Sequence, residues 1–213
     1  AGEEVVTLDG VQRRLDADDL VICDGAPDGG RVVALAGVMG AGNSEVSEST
    51  RRVLLECAWF EPRGVRRTSR RTGLHTEASH RFERGVDRGG VAYALRRAAS
   101  LHAELGEGQL ASSELHVLSE PAVRTRLTLR TARADALLGL ATAPSEVRAI
   151  LERLGCVVHP AEAGGEGQFV VEAPTHRPDL QREVDLIEEI ARVRGLDEIP
   201  TILPAVVPQR PRA

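Results

Sequence analysis

A change of texture near Pro121 constrains the fold more than any other feature of this sequence. Before it, residues 1–35 alternate short β-like pieces (Val5–Leu8, Leu20–Cys23, Val32–Leu35) with turn signals at Asp9-Gly10 and Ala26-Pro27-Asp28-Gly29-Gly30. Val53 to Trp59 reads as another strand. Glu61-Pro62 then opens a helix, with Pro at its first position and Gly73 as its stop. A second helix, Gly90 to Leu105, sets Ala94, Leu95, Ala98, Leu101 and Leu105 on one side. From Arg126 the pattern shortens: a strand at Leu127–Leu129, helices at Thr131–Leu138 and Pro144–Gly155, and a strand pair, Val157–His159 and Phe169–Ala173, around Gly164–Gly167. A last helix runs from about Asp179 to Arg194, stopped by Gly195. These elements predict an α+β chain with a mixed-sheet domain at 1–121, a smaller domain at 122–203 and a proline-rich linker at 204–213.

The cores of such domains must be aliphatic. Hydrophobic residues make up 42% of the 213, but aromatics only 2%. Cys23, Cys57 and Cys156 lie far apart with no CxxC pair, which argues against a disulfide framework or zinc site and leaves them as small core residues. All 27 basic side chains are arginine, so no lysine is present to form a Schiff base or serve a phosphate loop. No apolar run approaches the roughly 18 residues of a spanning helix, and no basic-then-apolar leader stands at Ala1; a soluble, cytoplasmic chain is expected.

Residues Gly73 to Asp87 are the most polar stretch, seven of fifteen being His, Arg, Glu or Asp. They read as an irregular surface or cleft segment rather than a helix or strand. Twenty residues before Thr76, Glu56 interrupts the apolar run Leu54-Leu55-Glu56-Cys57-Ala58. Earlier still comes the small-residue run from Ala34 to Ser44, containing Gly37-Val38-Met39-Gly40-Ala41-Gly42. That run lacks GxxxxGK[ST] and the GxGxxG spacing, so it is not a phosphate loop.

Taken in order with Val65 to Arg71, these blocks resemble the editing module of the bacterial phenylalanyl-tRNA synthetase beta subunit, where they read ALAGVMGG, LLEAA and LRTEASxRFERGVD. One departure is Gly40-Ala41 where the family has Gly-Gly. The layout after Arg126 resembles the small winged-helix-like module that follows in the same subunit, and the likeness runs from Val5 to Pro204. It implies a fragment of that subunit. The complete enzyme would be an α/β complex, a heterotetramer of two alpha and two beta subunits that joins phenylalanine to tRNA(Phe). ATP would be bound by the alpha subunit rather than by this chain.

The resemblance further implies a site that hydrolyses tyrosine wrongly esterified to tRNA(Phe). A second site that hydrogen-bonds the extra hydroxyl discriminates where an apolar pocket cannot. Glu56 is its natural acceptor; a salt bridge to a neighbouring arginine is the other reading of the same residue. By resemblance Thr76 and Ala78 shape the pocket, and Ala36, Gly37 and Gly40 line its other wall. No Ser-His-Asp set can be assembled. His75 and His80 are available, but a water positioned near His75 and Thr76 is the more economical expectation.

In the last helix Asp185, Glu188 and Glu189 stand at i, i+3 and i+4, on one face, with Leu180, Val184, Ile187 and Ala191 opposite. A solvated acidic face with Asp179 as N-cap explains that spacing. The resemblance instead implies that Asp179, Asp185, Glu188 and Glu189 hold Mg²⁺ at an interface with the alpha subunit, a hard cation suited to oxygen ligands.

Net charge is −5, yet residues 51–100 hold twelve arginines against five acids. Arg66, Arg67, Arg70 and Arg71 form a basic stripe, either contacting tRNA phosphates or solvated and paired with acids. Against the enzyme-fragment reading stand a non-catalytic RNA-binding or assembly module and a trans-editing relative built on the same fold.

Overall fold

The Asp9-Gly10 turn reverses the chain between β1 (Glu4–Val6) and β2 (Gln12–Arg14), antiparallel with Val5 opposite Arg13. Asp9 holds the turn, accepting from Val11 N at 3.2 Å and from both Arg13 Nη atoms at 2.7 and 2.8 Å. This computed structural model describes residues 2–25, 30–106, 108–111, 114–118, 121–161, 165 and 167–201. The expected linker at 204–213, most of the Ala26–Gly30 turn and parts of the Gly164–Gly167 turn lie outside them. The chain divides into two units, Ala1–Ala122 and Val123–Ala213.

In the first unit β3 (Val21–Asp24), β4 (Arg31–Leu35) and β5 (Met39–Gly40) form an antiparallel sheet in that order, and a Thr7–Ala41 bridge ties in the hairpin. Helix α1 (Pro62–Thr72) starts on its proline, with Glu61 accepting from Gly64 N at 2.7 Å, and ends on left-handed Gly73. Its Val65, Thr68 and Ser69 face inward. The core is small and aliphatic: Val5, Leu15, Val32, Leu35, Val38, Ala41, Val65 and Leu74, with Phe60 and Phe82 at its margin.

Four expectations need correction here. Val53–Trp59 forms no strand; among the described residues nothing pairs with its backbone, and a strand needs a partner for its N–H and C=O groups. Its side chains are accordingly open, Leu54 being 96% exposed. Second, Gly73–Asp87 is not wholly irregular, because α2 (Glu77–Phe82) begins inside it. Thr76 accepts from Ser79 N at 3.0 Å and Ser79 Oγ from Thr76 N at 2.9 Å, a reciprocal cap that sets the helix start despite the polar composition. Third, α3 (Val91–Gly106) forms where expected but buries none of its residues. Fourth, of the cysteines only Cys156 is a core residue; Cys57 is half-buried and Cys23 exposed.

The second unit joins β6 (Arg126–Arg130), β7 (Val157–Pro160) and β8 (Gln168–Glu172) in an antiparallel sheet ordered β6-β8-β7. Along β8 the buried residues alternate, Phe169 and Val171 pointing into the core. Helices α4 (Thr131–Leu138), α5 (Pro144–Arg153) and α6 (Glu183–Arg194) supply the rest of that core, with Leu151, Leu186 and Ile190 fully enclosed. The architecture is α+β throughout. Helix α6 begins at Glu183, four residues later than expected, with Arg182 rather than Asp179 as its N-cap. Truncating Leu186→Ala should cost about 3 kcal/mol, whereas Leu105→Ala, on α3, should stay within about 0.5 kcal/mol. Urea midpoints at unchanged slope check both.

Candidate functional site

The link from β4 to β5 runs Ala36-Gly37-Val38, and Gly37 has φ +69°. A Cβ there would lie 3.0 Å from Val65 Cγ2, 3.1 Å from Phe60 Cδ2 and 3.3 Å from Phe82 Cγ. Only glycine permits both that backbone and that approach. The two phenylalanine rings meet at 5.2 Å, tilted by 48°. Thr76 closes the other side: its hydroxyl donates to the Val38 carbonyl at 2.7 Å while accepting from Ser79 N. One hydroxyl carries one proton, so Thr76 fastens the start of α2 to the glycine turn and has no proton left to donate to a ligand.

The structure thus brings Thr76 and Gly37 together, with Ala36 on the same short link and Gly40 at the end of β5 that follows it. Ala36 is buried, and a Cβ on Gly40 would touch Leu8 Cδ1 at 3.1 Å. Ala78, in the first turn of α2, is exposed. Glu56 stands four residues before Phe60, at most about 14 Å along the chain. The residue as a whole is exposed, yet partial burial of its carboxyl raises its pKa. Among the described residues no arginine or other group pairs with it, which removes the salt-bridge reading. The Cys57 thiol is likewise pushed up, first by burial and then by the charge of Glu56. Phe60, Phe82 and Val65 belong to this site and were not singled out from sequence; their signal is scarcity, since the chain has only three Phe. His75 is exposed, and His80 Nδ1 lies 3.0 Å from Arg84 Nη1.

In the second unit the four acids take separate roles. Arg177 bridges two of them, reaching Asp179 at 2.6 Å and Glu189 at 2.9 Å. Arg192 adds a 2.6 Å contact to Glu189. Together Arg177 and Arg192 hold the Glu189 pKa at about 2, and Arg177 lowers that of Asp179. Asp185 accepts from Gln181 N at 3.0 Å and Arg182 N at 2.7 Å, which lowers its pKa and caps α6. Glu188 is exposed, whereas Glu189 is buried, so the acidic face is not uniformly solvated. The donor chemistry suits a hard cation, but guanidinium groups already pair with three of the carboxylates, Asp179, Asp185 and Glu189. No cluster of three or more potential ligands converges among the described residues.

Comparison with known proteins agrees with this division. A B3/4 domain family model matches residues 1–107, and a tRNA synthetase B5 domain model matches 127–196. The phenylalanine–tRNA ligase beta subunit of Oleidesulfovibrio alaskensis is 48% identical over 96% of this chain, those of Geobacter sulfurreducens and Anaeromyxobacter dehalogenans 47% over 95% and 45% over 99%. The chain belongs to the phenylalanine–tRNA ligase beta-subunit family. It spans about a quarter of the length of those relatives, 24–25% of each.

Within this family member, Glu189 offers the clearest electrostatic test. Its side chain is 8% exposed and faces two arginines. Glu189→Gln should destabilise the fold by about 2 kcal/mol, because it leaves Arg177 and Arg192 under-compensated. A depressed folded pKa means stability that is present above about pH 4.5, the ordinary value, and lost as pH falls toward 2. Acid-unfolding curves of Glu189→Gln should therefore be flatter than the parent between those limits.

Proposed function

We propose that this chain forms part of the beta subunit of phenylalanine–tRNA ligase and that its first unit takes part in hydrolysing Tyr-tRNA(Phe). The observations that support the reading are the glycine turn held by Thr76 and, four residues before Phe60, a carboxylate, Glu56, that no arginine pairs with among the described residues. A carboxylate without a partner accepts a phenolic O–H well, and burial raises the Glu56 pKa. Gly37 and Gly40 let the turn pack closely against its neighbours, and the ester would lie along the backbone that this packing fixes. Water would attack the ester carbonyl carbon, the ribose oxygen would leave with a proton, and free tyrosine and uncharged tRNA would result. Thr76 serves as a positioning residue in this scheme; Ala78, Ala36 and Gly40 contribute smallness rather than chemistry. His75 and His80 have no assigned step.

The division proposed is an editing domain at 1–121, a winged-helix-like domain at 122–203 and a linker at 204–213. A three-stranded antiparallel sheet with three helices supports the second of these. Aminoacylation of tRNA(Phe), with ATP held by the alpha subunit, is a property of the proposed heterotetramer and not of this chain alone. Magnesium belongs to the same reading as an ion shared with alpha. Asp179, Asp185, Glu188 and Glu189 would be this chain's share of its ligands, and the ion would supply charge neutralisation at the subunit contact. The Arg177 pairs must then open for Asp179 and Glu189 to face it. No helix among the described residues is long and apolar enough to cross a membrane, consistent with a cytoplasmic enzyme.

The exposure of Glu56 favours one competitor, a non-catalytic RNA-binding or assembly module. Incubating the intact α/β complex with tyrosine-charged tRNA(Phe) separates the two. The parent should deacylate it, and Glu56→Ala should do so about 10- to 100-fold more slowly, the worth of a hydrogen bond to a charged group. Equal rates would remove Glu56 from hydroxyl recognition. A parent complex without deacylase activity would leave the module reading.

A further inference from the structure

Helix α1 carries two faces with opposite chemistry. At about 100° per residue, Val65, Thr68 and Ser69 project inward, where they are buried. Arg63, Arg66, Arg67 and Arg70 project outward within an arc of about 100° and line an open groove of about 450 Å³ with no other residue type. All four are exposed. Arg67 has an exposed partner in Asp18 at 3.2 Å, but Arg63, Arg66 and Arg70 have no acidic partner among the described residues. Arg71, expected in the stripe, turns away: it pairs with Asp19 and donates to the Arg14 carbonyl at 3.3 Å, a tie between α1 and the segment after β2. The groove therefore consists of positions i, i+3, i+4 and i+7, a straighter track than the sequence suggested, with Arg63 as the added member.

Like charges at i, i+3 and i+4 repel one another and weaken a helix. Nothing in the packing of α1 requires them, because its inner face alone makes the core contacts. Their spacing extends about 10 Å along the helix axis, as a continuous row of donors suited to a string of anions. We propose that Arg63, Arg66, Arg67 and Arg70 form a track for the phosphodiester backbone of an RNA strand. The proposal rests on the tRNA-editing reading and deepens it. The inner face of the same helix places Val65 against the Gly37 turn, so a strand on the track runs about one helix width from the turn. Arginine neutralises phosphate as a guanidinium fork with well-defined geometry, and this patch is positive on a chain whose net charge is −5.

The test uses the intact α/β complex and fluorescently labelled tRNA across a potassium chloride series. Each phosphate contact contributes about 0.7 to 0.9 to the slope of log affinity against log salt. The triple variant Arg63→Gln, Arg66→Gln, Arg70→Gln should lower that slope by about 2 to 3 and weaken low-salt binding at least tenfold. Arg70→Gln alone should lower it by about 1, which covers a triple variant that fails to fold. The matching triple lysine variant should keep the parent slope. An unchanged slope in both glutamine variants overturns the proposal. An unchanged slope combined with loss of alpha-subunit association would identify an acidic protein surface as the partner instead, and also overturns it. A 3′-tyrosyl ester on a short oligonucleotide, too short to reach the track, tests the other claim separately. If the parent cannot cleave it, the editing reading fails while the salt slopes still judge the arginines. Equal cleavage by parent and triple variant, with a reduced slope on tRNA, supports both.

Discussion

The Thr76 hydroxyl organises the first unit. It accepts from Ser79 N and donates to Val38 O, joining a helix start to a turn that lies 38 residues earlier in the chain. Two elements with little apolar surface are held in register by that one group. The remainder of the contact is Gly37 against Phe60, Val65 and Phe82, which works only because residue 37 has no side chain. A core of eight buried aliphatic residues with a few partly buried neighbours leaves little margin, so these specific contacts decide where the Glu56 segment is anchored. The segment itself is tethered at Phe60 and open at Leu54.

The second unit meets a different constraint, the burial of charge. Glu189 points into the protein beside Leu186 and Ile190, where an ionised carboxylate needs compensation. Arg177 and Arg192 supply it. Arg177 also binds Asp179 and so connects the segment before α6 to its third turn. Glu183, at the first turn, pairs with Arg130 at 2.6 Å and Arg133 at 3.3 Å and fixes α6 to the end of β6. In a chain without lysine every such tie uses a planar guanidinium, which can bridge two carboxylates at once. Within this chain the acids that crowd on α6 draw compensating charge from arginine.

Periodicity made the second unit readable almost in full. Short strands and capped helices were bounded by Pro144, Gly155 and Gly195, and local turn chemistry agreed with the tertiary result. The first unit was readable only where its elements were self-contained, as in the Asp9-Gly10 hairpin and the Pro62–Thr72 helix. Val53–Trp59 misled because alternation and β-propensity describe a side chain's preference, not whether a partner strand is present. Helix α2 was missed because a Thr-x-x-Ser cap was outweighed by the polar composition around it. The site residues divide in the same way. Glu56 stood out as an acid in an apolar run, but Phe60, Phe82 and Val65 meet around Gly37 only through folding, and Arg63 joins the arginine row only once the helix phase is known.

The uneven charge of the chain acquires a physical meaning from this arrangement. Arginines that face acids at short range, such as Arg13, Arg71, Arg130 and Arg177, stabilise turns and helix junctions and have their charge compensated locally. On the outer face of α1, Arg63, Arg66 and Arg70 have no acidic partner among the described residues, and their field extends about a Debye length, roughly 10 Å, into solvent. An exposed carboxylate such as Glu188 lies in the other unit, and Glu56 sits on the same unit as the arginine row with no partner among the described residues. A negatively charged strand drawn to the row would meet repulsion from an ionised Glu56 unless a proton donor lay between them. On the proposed editing reading, a phenolic O–H would supply that donor and a phenylalanine side chain would not.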